Sequence, residues 1–263
     1  MIEQLLLTPD LEDGLPIVAI EELITEDETP VDNILSERQM RLLTDTLYAS
    51  WSGPGNGRPF IALANVGLFA TPRNNPLVPD VMVSLDVTLP DELMEKSHRS
   101  YFIWEYGKPP EVVIEIVSNK KGGEAGIKMA RYARMGVQYY VIFDPAGLLS
   151  LSPLRTHVLS NHQYIPLKQH WLADVGLGFQ LWYGSYEGTQ ETLWLRWIDE
   201  EGQLLPTKSE RLEQEYYRAE QEYHRAERLK RRLEQERSRA EQEKQRAERL
   251  VAQLRALGID PIT

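Results

Sequence analysis

The chain has 263 residues, of which 42% are hydrophobic and 26% are charged, a balance typical of a globular protein. It contains no cysteine, which excludes disulfide bonds, thiolate zinc sites and cysteine nucleophiles. Residues 1–206 hold 15 Lys and Arg against 28 Asp and Glu, whereas residues 207–263 hold 14 against 12. Because phosphate binding depends on Lys and Arg, so acidic a domain excludes diffuse nucleic-acid binding, and any such site must be local.

The N-terminus lacks the basic segment and apolar core of a signal peptide, and no apolar run approaches the length that spans a bilayer. We therefore expect a cytoplasmic protein.

The first pattern along the chain is an amphipathic helix that Ser36 is predicted to cap and that ends before Trp51. From Gly122 the period becomes helical again until Gly136. The sequence predicts short strands at 60–64, 66–70, 80–87, 101–104, 112–117 and 137–143, and hairpins at 156–167 and 193–205. The succession of strand, helix and strand from 112 to 143 predicts a crossover unit. We expect an α/β (α+β) domain with a mixed central sheet flanked by helices.

Past Pro206, leucine or alanine recurs every seven residues from Leu212 to Leu254, which predicts a helix of about 45 residues. The companion heptad position is mostly glutamate, so the coiled-coil pattern is weak. Two interpretations stay open: a solvated helix held by Glu and Arg pairs, or a surface for self-association or a protein partner. The predicted domains are an acidic segment (1–30), a folded domain (31–206), a charged helical tail (207–257) and a C-terminal tail (258–263).

Glu115 is the one charged residue in the apolar run from Val112 to Val117. A near-continuous apolar run is typical of a strand that is covered on both faces. An unpaired carboxylate is costly there, so Glu115 must lie at a mouth of the sheet, pair with a cation or be protonated. A buried ion pair and a metal-binding or catalytic role are both open, and we favour the second.

Asp80 opens the strand that begins at Val81, so a second carboxylate occupies a similar place. Lys128 follows Glu115 on the next helix and points toward the strand end if Ile127 and Ala130 face the sheet. Two carboxylates and a lysine suit phosphodiester hydrolysis, because the acids can bind Mg²⁺ and the lysine can stabilise developing negative charge.

Basic residues cluster around this helix, with Glu124 as the one acid among them. Such a cluster supplies the local positive charge that phosphate binding needs in an acidic domain. A solvated helix face is the alternative interpretation. The members are Lys120, Lys121, Lys128, Arg131 and Arg134.

Several short motifs resemble one family when they are taken together. They are Pro79-Asp80-Val81, the run from Pro110 to Ser118, Lys128, Tyr132-Ala133-Arg134, Gly136-Val137, Tyr139-Tyr140 and Asp144-Pro145. Over residues 30–205 the chain resembles the Uma family of restriction-endonuclease-like proteins, in the PD-(D/E)XK nuclease superfamily. The resemblance implies a restriction-endonuclease-like core, to which this chain adds a long charged C-terminal helix.

The resemblance also implies roles for individual residues. Asp80 and Glu115 would be the metal-binding carboxylates, Lys128 the superfamily lysine, and Glu37 a candidate additional acid on the first helix. The superfamily pattern has lysine two residues after the second acid, where this chain has Val117. The lysine must therefore come from elsewhere. Lys128 fits best, and Lys120 and Lys121 are the substitutes.

The first functional hypothesis is a Mg²⁺- or Mn²⁺-dependent DNA endonuclease in which Asp80, Glu115 and Lys128 act and nearby basic residues grip the DNA backbone. A homodimer paired through the tail would bring two sites to two strands. The rival is a weak or inactive nuclease-fold protein that works through its tail as an interaction module. A third hypothesis is a structural domain in which Glu115 forms a buried ion pair.

Overall fold

The computed structural model describes residues 11–12, 15–16, 33–55, 57–72, 75–119 and 123–256. The chain divides into two compact units, Met1–Lys208 and Ser209–Thr263.

The first unit contains thirteen short strands and three helices among its described residues. The strands are β1 (Leu11–Glu12), β2 (Leu15–Pro16), β3 (Phe60–Ala64), β4 (Leu68–Phe69), β5 (Val81–Leu85), β6 (Tyr101–Phe102), β7 (Val112–Ile116), β8 (Tyr139–Phe143), β9 (Leu154–Ser160), β10 (Gln163–Pro166), β11 (Trp171–Leu172), β12 (Leu177–Gly184) and β13 (Thr192–Ile198). The helices are α1 (Ile34–Ser50), α2 (Ile103–Tyr106) and α3 (Met129–Met135), with a 3-10 turn at Lys96–His98 and a π-helical turn at Glu124–Lys128 just before α3.

The central sheet has six strands in the order β10-β9-β8-β7-β5-β3. Strands β7 and β8 are parallel, and the other neighbouring strands in this sheet are antiparallel. A second sheet has the order β11-β12-β13, and β4 and β6 form a short parallel pair. The mixed central sheet and the helices around it confirm the predicted α+β fold class.

The core has two parts because successive side chains of a strand point to opposite faces of the sheet. Ile114 of β7 belongs to a cluster that also contains Leu43 and Leu47 of α1. Val113 of β7 belongs to a second cluster, with Tyr132 of α3. Helices α1 and α3 therefore pack against opposite faces of the central sheet.

Helix α1 begins earlier than predicted, and its cap is Asn33 instead of Ser36. The Oδ1 atom of Asn33 accepts a hydrogen bond from the backbone N–H of Ser36 at 2.9 Å, the geometry of an N-cap. Ser36 itself is buried inside the first turn. The predicted end before Trp51 is confirmed.

The crossover from β7 through α3 to the parallel strand β8 is confirmed, and Gly136 ends α3 in the left-handed conformation at φ 84°, as helix C-termini often require. The hairpin of β9 and β10 is also confirmed. The hairpin predicted at 193–205 is wrong in its second arm. The described residues after the turn form no strand, only an isolated bridge between Leu204 and Ile198, and β13 pairs along its length with β12.

Helix α4 (Lys208–Ala256) spans the described part of the second unit and has 49 residues, none of them buried. This confirms the predicted long C-terminal helix. Its ion pairs include pairs of the i,i+4 kind, such as Arg231 with Glu227 at 2.7 Å. Within the described ranges, the structure contains no helix that is both long enough and apolar enough to cross a membrane.

Candidate active site

Glu115 is the fourth residue of β7 and is 1% exposed. The alternation of the strand directs it to the sheet face that Val113 and Val117 share, toward α3. A carboxylate so deeply buried is stable only when hydrogen-bond partners or a counter-charge replace its hydration.

Both oxygens of the Glu115 carboxylate have partners from the crossover helix. Lys128 Nζ donates to Oε2 at 2.7 Å, and the Tyr132 hydroxyl donates to Oε1 at 2.7 Å. Burial raises the pKa of Glu115 to about 7, and the charge of Asp80 adds to the rise, whereas Lys128 and Tyr132 lower it. Glu115 therefore changes its protonation state close to neutral pH.

Lys128 is a cation in this setting. Burial acts to lower its pKa, but the attraction of Glu115, Asp80 and Glu124 outweighs burial, and the pKa is raised. The side chain of Lys128 is 28% exposed, against 1% for that of Glu115. The lysine thus joins a buried carboxylate to the surface of the site.

Asp80 lies immediately before β5 and reaches across to β7. Its Oδ2 atom accepts a hydrogen bond from the backbone N–H of Ile116 at 2.6 Å. This peptide group directly follows Glu115, so the two carboxylates meet at the same end of two adjacent strands. Their proximity is also seen in the contribution of Asp80 to the raised pKa of Glu115.

The assumption that oriented Lys128 in the sequence was wrong. Ile127 is 75% exposed and Ala130 is also exposed. Three residues spaced four apart, Glu124, Lys128 and Tyr132, instead approach the sheet. They lie on one side because residues four apart share a helix face.

A π-helical turn precedes α3 and sets the position of this polar face. The backbone N–H of Lys128 bonds to the carbonyl of Gly123 at 3.2 Å, five residues back, and Gly123 has φ 73°, which favours glycine. The Tyr140 hydroxyl donates to the backbone carbonyl of Glu124 at 2.8 Å. Single π turns of this kind occur often at functional sites.

Glu37 is not brought to this site. It lies on α1, whose apolar residues pack against the sheet face opposite that of Glu115. Its carboxylate accepts a hydrogen bond from Arg41 at 2.7 Å, and Arg41 also pairs with Glu187. The candidate additional acid thus takes part in a surface ion-pair cluster.

The basic residues around the helix have different surroundings. Arg131 donates hydrogen bonds to the backbone carbonyls of Asn75 and Pro76, in the segment that leads to Asp80. Arg134 is exposed and donates to the carbonyl of Ala130 at 3.3 Å. Lys120 and Lys121 lie outside the described residues.

The donor atoms at this site fit a hard divalent cation. Asp80 and Glu115 supply carboxylate oxygens, the type of ligand that hard divalent cations prefer. Mg²⁺ needs few protein ligands, because it keeps several waters and is commonly bound by one or two carboxylates together with phosphate oxygens. No group of three or more His, Cys, Asp or Glu suited to a metal occurs in the described part of the chain, so the fit rests on these two acids.

Two members of the arrangement had no role in the sequence-based hypothesis. Tyr132 completes the hydrogen bonding of Glu115, and Glu124 lies 3.9 Å from Lys128 Nζ with 6% of its surface exposed. The signal that could have found them is their spacing, four residues on either side of Lys128.

Comparison with known protein families identifies a family to which the chain is similar. A model of the Uma2 family, whose description is "Putative restriction endonuclease", matches residues 11–168. The match spans more than half of the chain, includes every strand of the central sheet, and contains Asp80, Glu115 and Lys128. No curated protein matches the chain.

Proposed function

Because the chain belongs to the Uma2 family of restriction-endonuclease-like proteins, we propose that it is a divalent-metal-dependent endonuclease that hydrolyses DNA phosphodiester bonds. The observation that carries the proposal is the meeting of Asp80 and Glu115 at adjacent strand ends, with the ammonium of Lys128 on the Glu115 carboxylate. An ion pair that only stabilised the core would need Glu115 and Lys128 but not Asp80.

In this proposal, Asp80 and Glu115 hold the cation, which is Mg²⁺ or Mn²⁺. When bound, the cation acidifies a water molecule and offsets negative charge on the scissile phosphate. Tyr132 keeps the Glu115 carboxylate in one orientation through the hydrogen bond to Oε1. The backbone N–H of Ile116 does the same for Asp80.

Lys128 supplies positive charge to the phosphate during the reaction. Its raised pKa keeps the ammonium protonated at neutral pH, so it can donate hydrogen bonds to a phosphate oxygen on which charge develops. An oriented donor of this kind contributes about 10²- to 10³-fold to a rate.

We propose further that basic residues near the helix contact the DNA backbone. Arg134 is exposed on α3, and Lys120 and Lys121 precede this helix in the sequence. Arg131 combines such a role with its contacts to the loop before Asp80. A homodimer would place two sites on the two strands of a duplex.

Nicking of supercoiled plasmid tests the catalytic proposal. We expect Mg²⁺- or Mn²⁺-dependent nicking that EDTA abolishes, that Glu115→Ala removes, and that Lys128→Ala reduces by about 10²-fold or more. Lys108→Ala is the matched control, because Lys108 also has a side chain that is 28% exposed and forms an ion pair, with Glu111. Its activity should stay close to that of the wild type. An inert wild-type protein across metals and substrates would overturn the proposal.

A second candidate function is association through α4, and its leucines favour it. They are all more than a third exposed, and they lie at heptad positions along a helix with no buried residue. These residues are Leu212, Leu229, Leu233, Leu250 and Leu254. A second copy of the chain would cover them leucine against leucine, whereas an isolated helix leaves this apolar surface in water.

Deletion of residues 207–263 tests the role of the helix separately from that of the site. If α4 associates, the truncated protein becomes monomeric in sedimentation while its Mn²⁺ affinity stays unchanged. Equal oligomeric states with and without the helix would refute this second function.

A further inference from the structure

The Lys128 ammonium lies between the buried carboxylates of Glu115 and Glu124, which differ in their hydrogen bonding. Both oxygens of Glu115 are hydrogen-bonded, by Lys128 and Tyr132. Glu124 has Oε1 at 3.9 Å from Lys128 Nζ, beyond hydrogen-bond distance. Its Oε2 atom is buried and has no hydrogen-bond partner among the residues that the structure describes.

A buried carboxylate oxygen without a hydrogen-bond partner destabilises the folded state. Two features of the backbone place Glu124 in this position. The Tyr140 hydroxyl binds its carbonyl oxygen, and the π-helical turn sets it on the same side as Lys128. Glu124 is therefore placed beside the lysine without being fully engaged by it.

A cation held by Glu115 would change what the Lys128 ammonium can contact. The carboxylate oxygen that now accepts from Lys128 would be shared with a second positive charge, and the two cations would repel each other. The Lys128 side chain, which is 28% exposed, could then extend into solvent or move toward Glu124. The second movement is short and keeps the ammonium inside the site.

We propose that Glu124 is a positioning residue that holds the Lys128 ammonium when a divalent cation engages Glu115. This inference rests on the proposed function. Glu124 can accept a hydrogen bond from the lysine, because its Oε2 atom has no partner among the described residues and its Oε1 atom lies only 3.9 Å from Lys128 Nζ. Glu124 acts through Lys128 and is not itself a metal ligand.

One test needs no metal. In the variant Glu115→Met, the first carboxylate is replaced by an apolar side chain of similar length, and a crystal structure should show Lys128 Nζ within about 3 Å of a Glu124 oxygen. A lysine that instead extends into solvent overturns the inference. This test succeeds or fails whether or not the protein is a nuclease.

The second test is a double-mutant cycle read by Mn²⁺ calorimetry. Glu124→Gln should weaken Mn²⁺ binding about tenfold, because the displaced Lys128 ammonium then has no carboxylate to pair with. This effect is within the usual range of coupling between sites. In the Lys128→Met background the same substitution should change the affinity by less than about twofold. Glu111→Gln, which also removes the partner of a lysine, is the control and should leave Mn²⁺ affinity unchanged.

Other results of the cycle contradict the inference. Equal weakening by Glu124→Gln in both backgrounds would make Glu124 a metal ligand, and no weakening in either would remove its role. A wild-type protein that binds no Mn²⁺ would count against the proposed function, while the Glu115→Met structure would still decide the position of the lysine.

Discussion

The buried carboxylate of Glu115 makes the stability of the domain depend on pH in a predictable direction. Its pKa is raised by burial from 4.5 to about 7. Between pH 4.5 and pH 7, Glu115 is therefore protonated to a greater extent in the folded state than in the unfolded state. The contribution of Glu115 to stability is then fully present below pH 4.5 and is lost as the pH rises through about 7. The variant Glu115→Gln cannot titrate and lacks this loss.

The size of the effect follows from the two pKa values. Between pH 5 and pH 8 the wild type should lose about 2 to 3 kcal/mol of unfolding free energy relative to Glu115→Gln. The assay is urea denaturation of both proteins in EDTA at the two pH values. Comparison with the variant cancels the other titrating groups. Differences that do not depend on pH are cancelled by comparing the two pH values.

Asp86 offers a control of the opposite kind. Its hydrogen bonds from Arg58 hold the pKa of this exposed carboxyl below its usual value, so its contribution is lost only at acidic pH. Asp86→Asn should therefore differ from the wild type by the same amount at pH 5 and pH 8. A difference between wild type and Glu115→Gln that is equally constant would refute the reasoning, because it would mean that Glu115 is ionised throughout.

Two further predictions concern the partner of Glu115 and the helical tail. Tyr132→Phe removes the hydroxyl that donates to Glu115 Oε1 and should lower the unfolding free energy by about 1 to 3 kcal/mol in urea denaturation; an unchanged midpoint would mean that the bond contributes nothing. Arg225, Arg232 and Arg239 each precede a heptad position of α4 and would face Lys230, Arg237 and Lys244 of a parallel second copy. Self-association measured by sedimentation should consequently strengthen with salt as this repulsion is screened, and weakening by salt would contradict it.

The parts of the fold that the sequence predicted depend on strong local patterns. The apolar run of β7, the crossover that ends at Gly136 and the heptads of α4 each carry a clear period. Strand β12 was not predicted, and it has glycine near both ends, at Gly178 and Gly184, a residue that is unfavourable in strands. At Gly178 a Cβ would lie 2.9 Å from the ring of Trp171, a packing constraint that local pattern does not reveal.

The candidate site was predictable in its acids and its lysine but not in its helix face. The rule that apolar residues face the sheet placed Ile127 inward, whereas this part of the structure turns Glu124 and Lys128 toward Glu115. Local rules often fail where a sequence supports a functional site instead of a core. Glu37 could not be excluded from sequence, because only the packing of α1 puts that helix on the opposite face.

The most direct test of the central proposal is a crystal structure of the protein soaked in Mn²⁺. We predict an anomalous difference peak bound by both Asp80 and Glu115, at about 2 Å from a carboxylate oxygen of each, with Lys128 Nζ displaced from Glu115 Oε2. Absence of a peak, with Lys128 still 2.7 Å from that oxygen as in the present structure, would contradict the proposal that these two acids form a metal site.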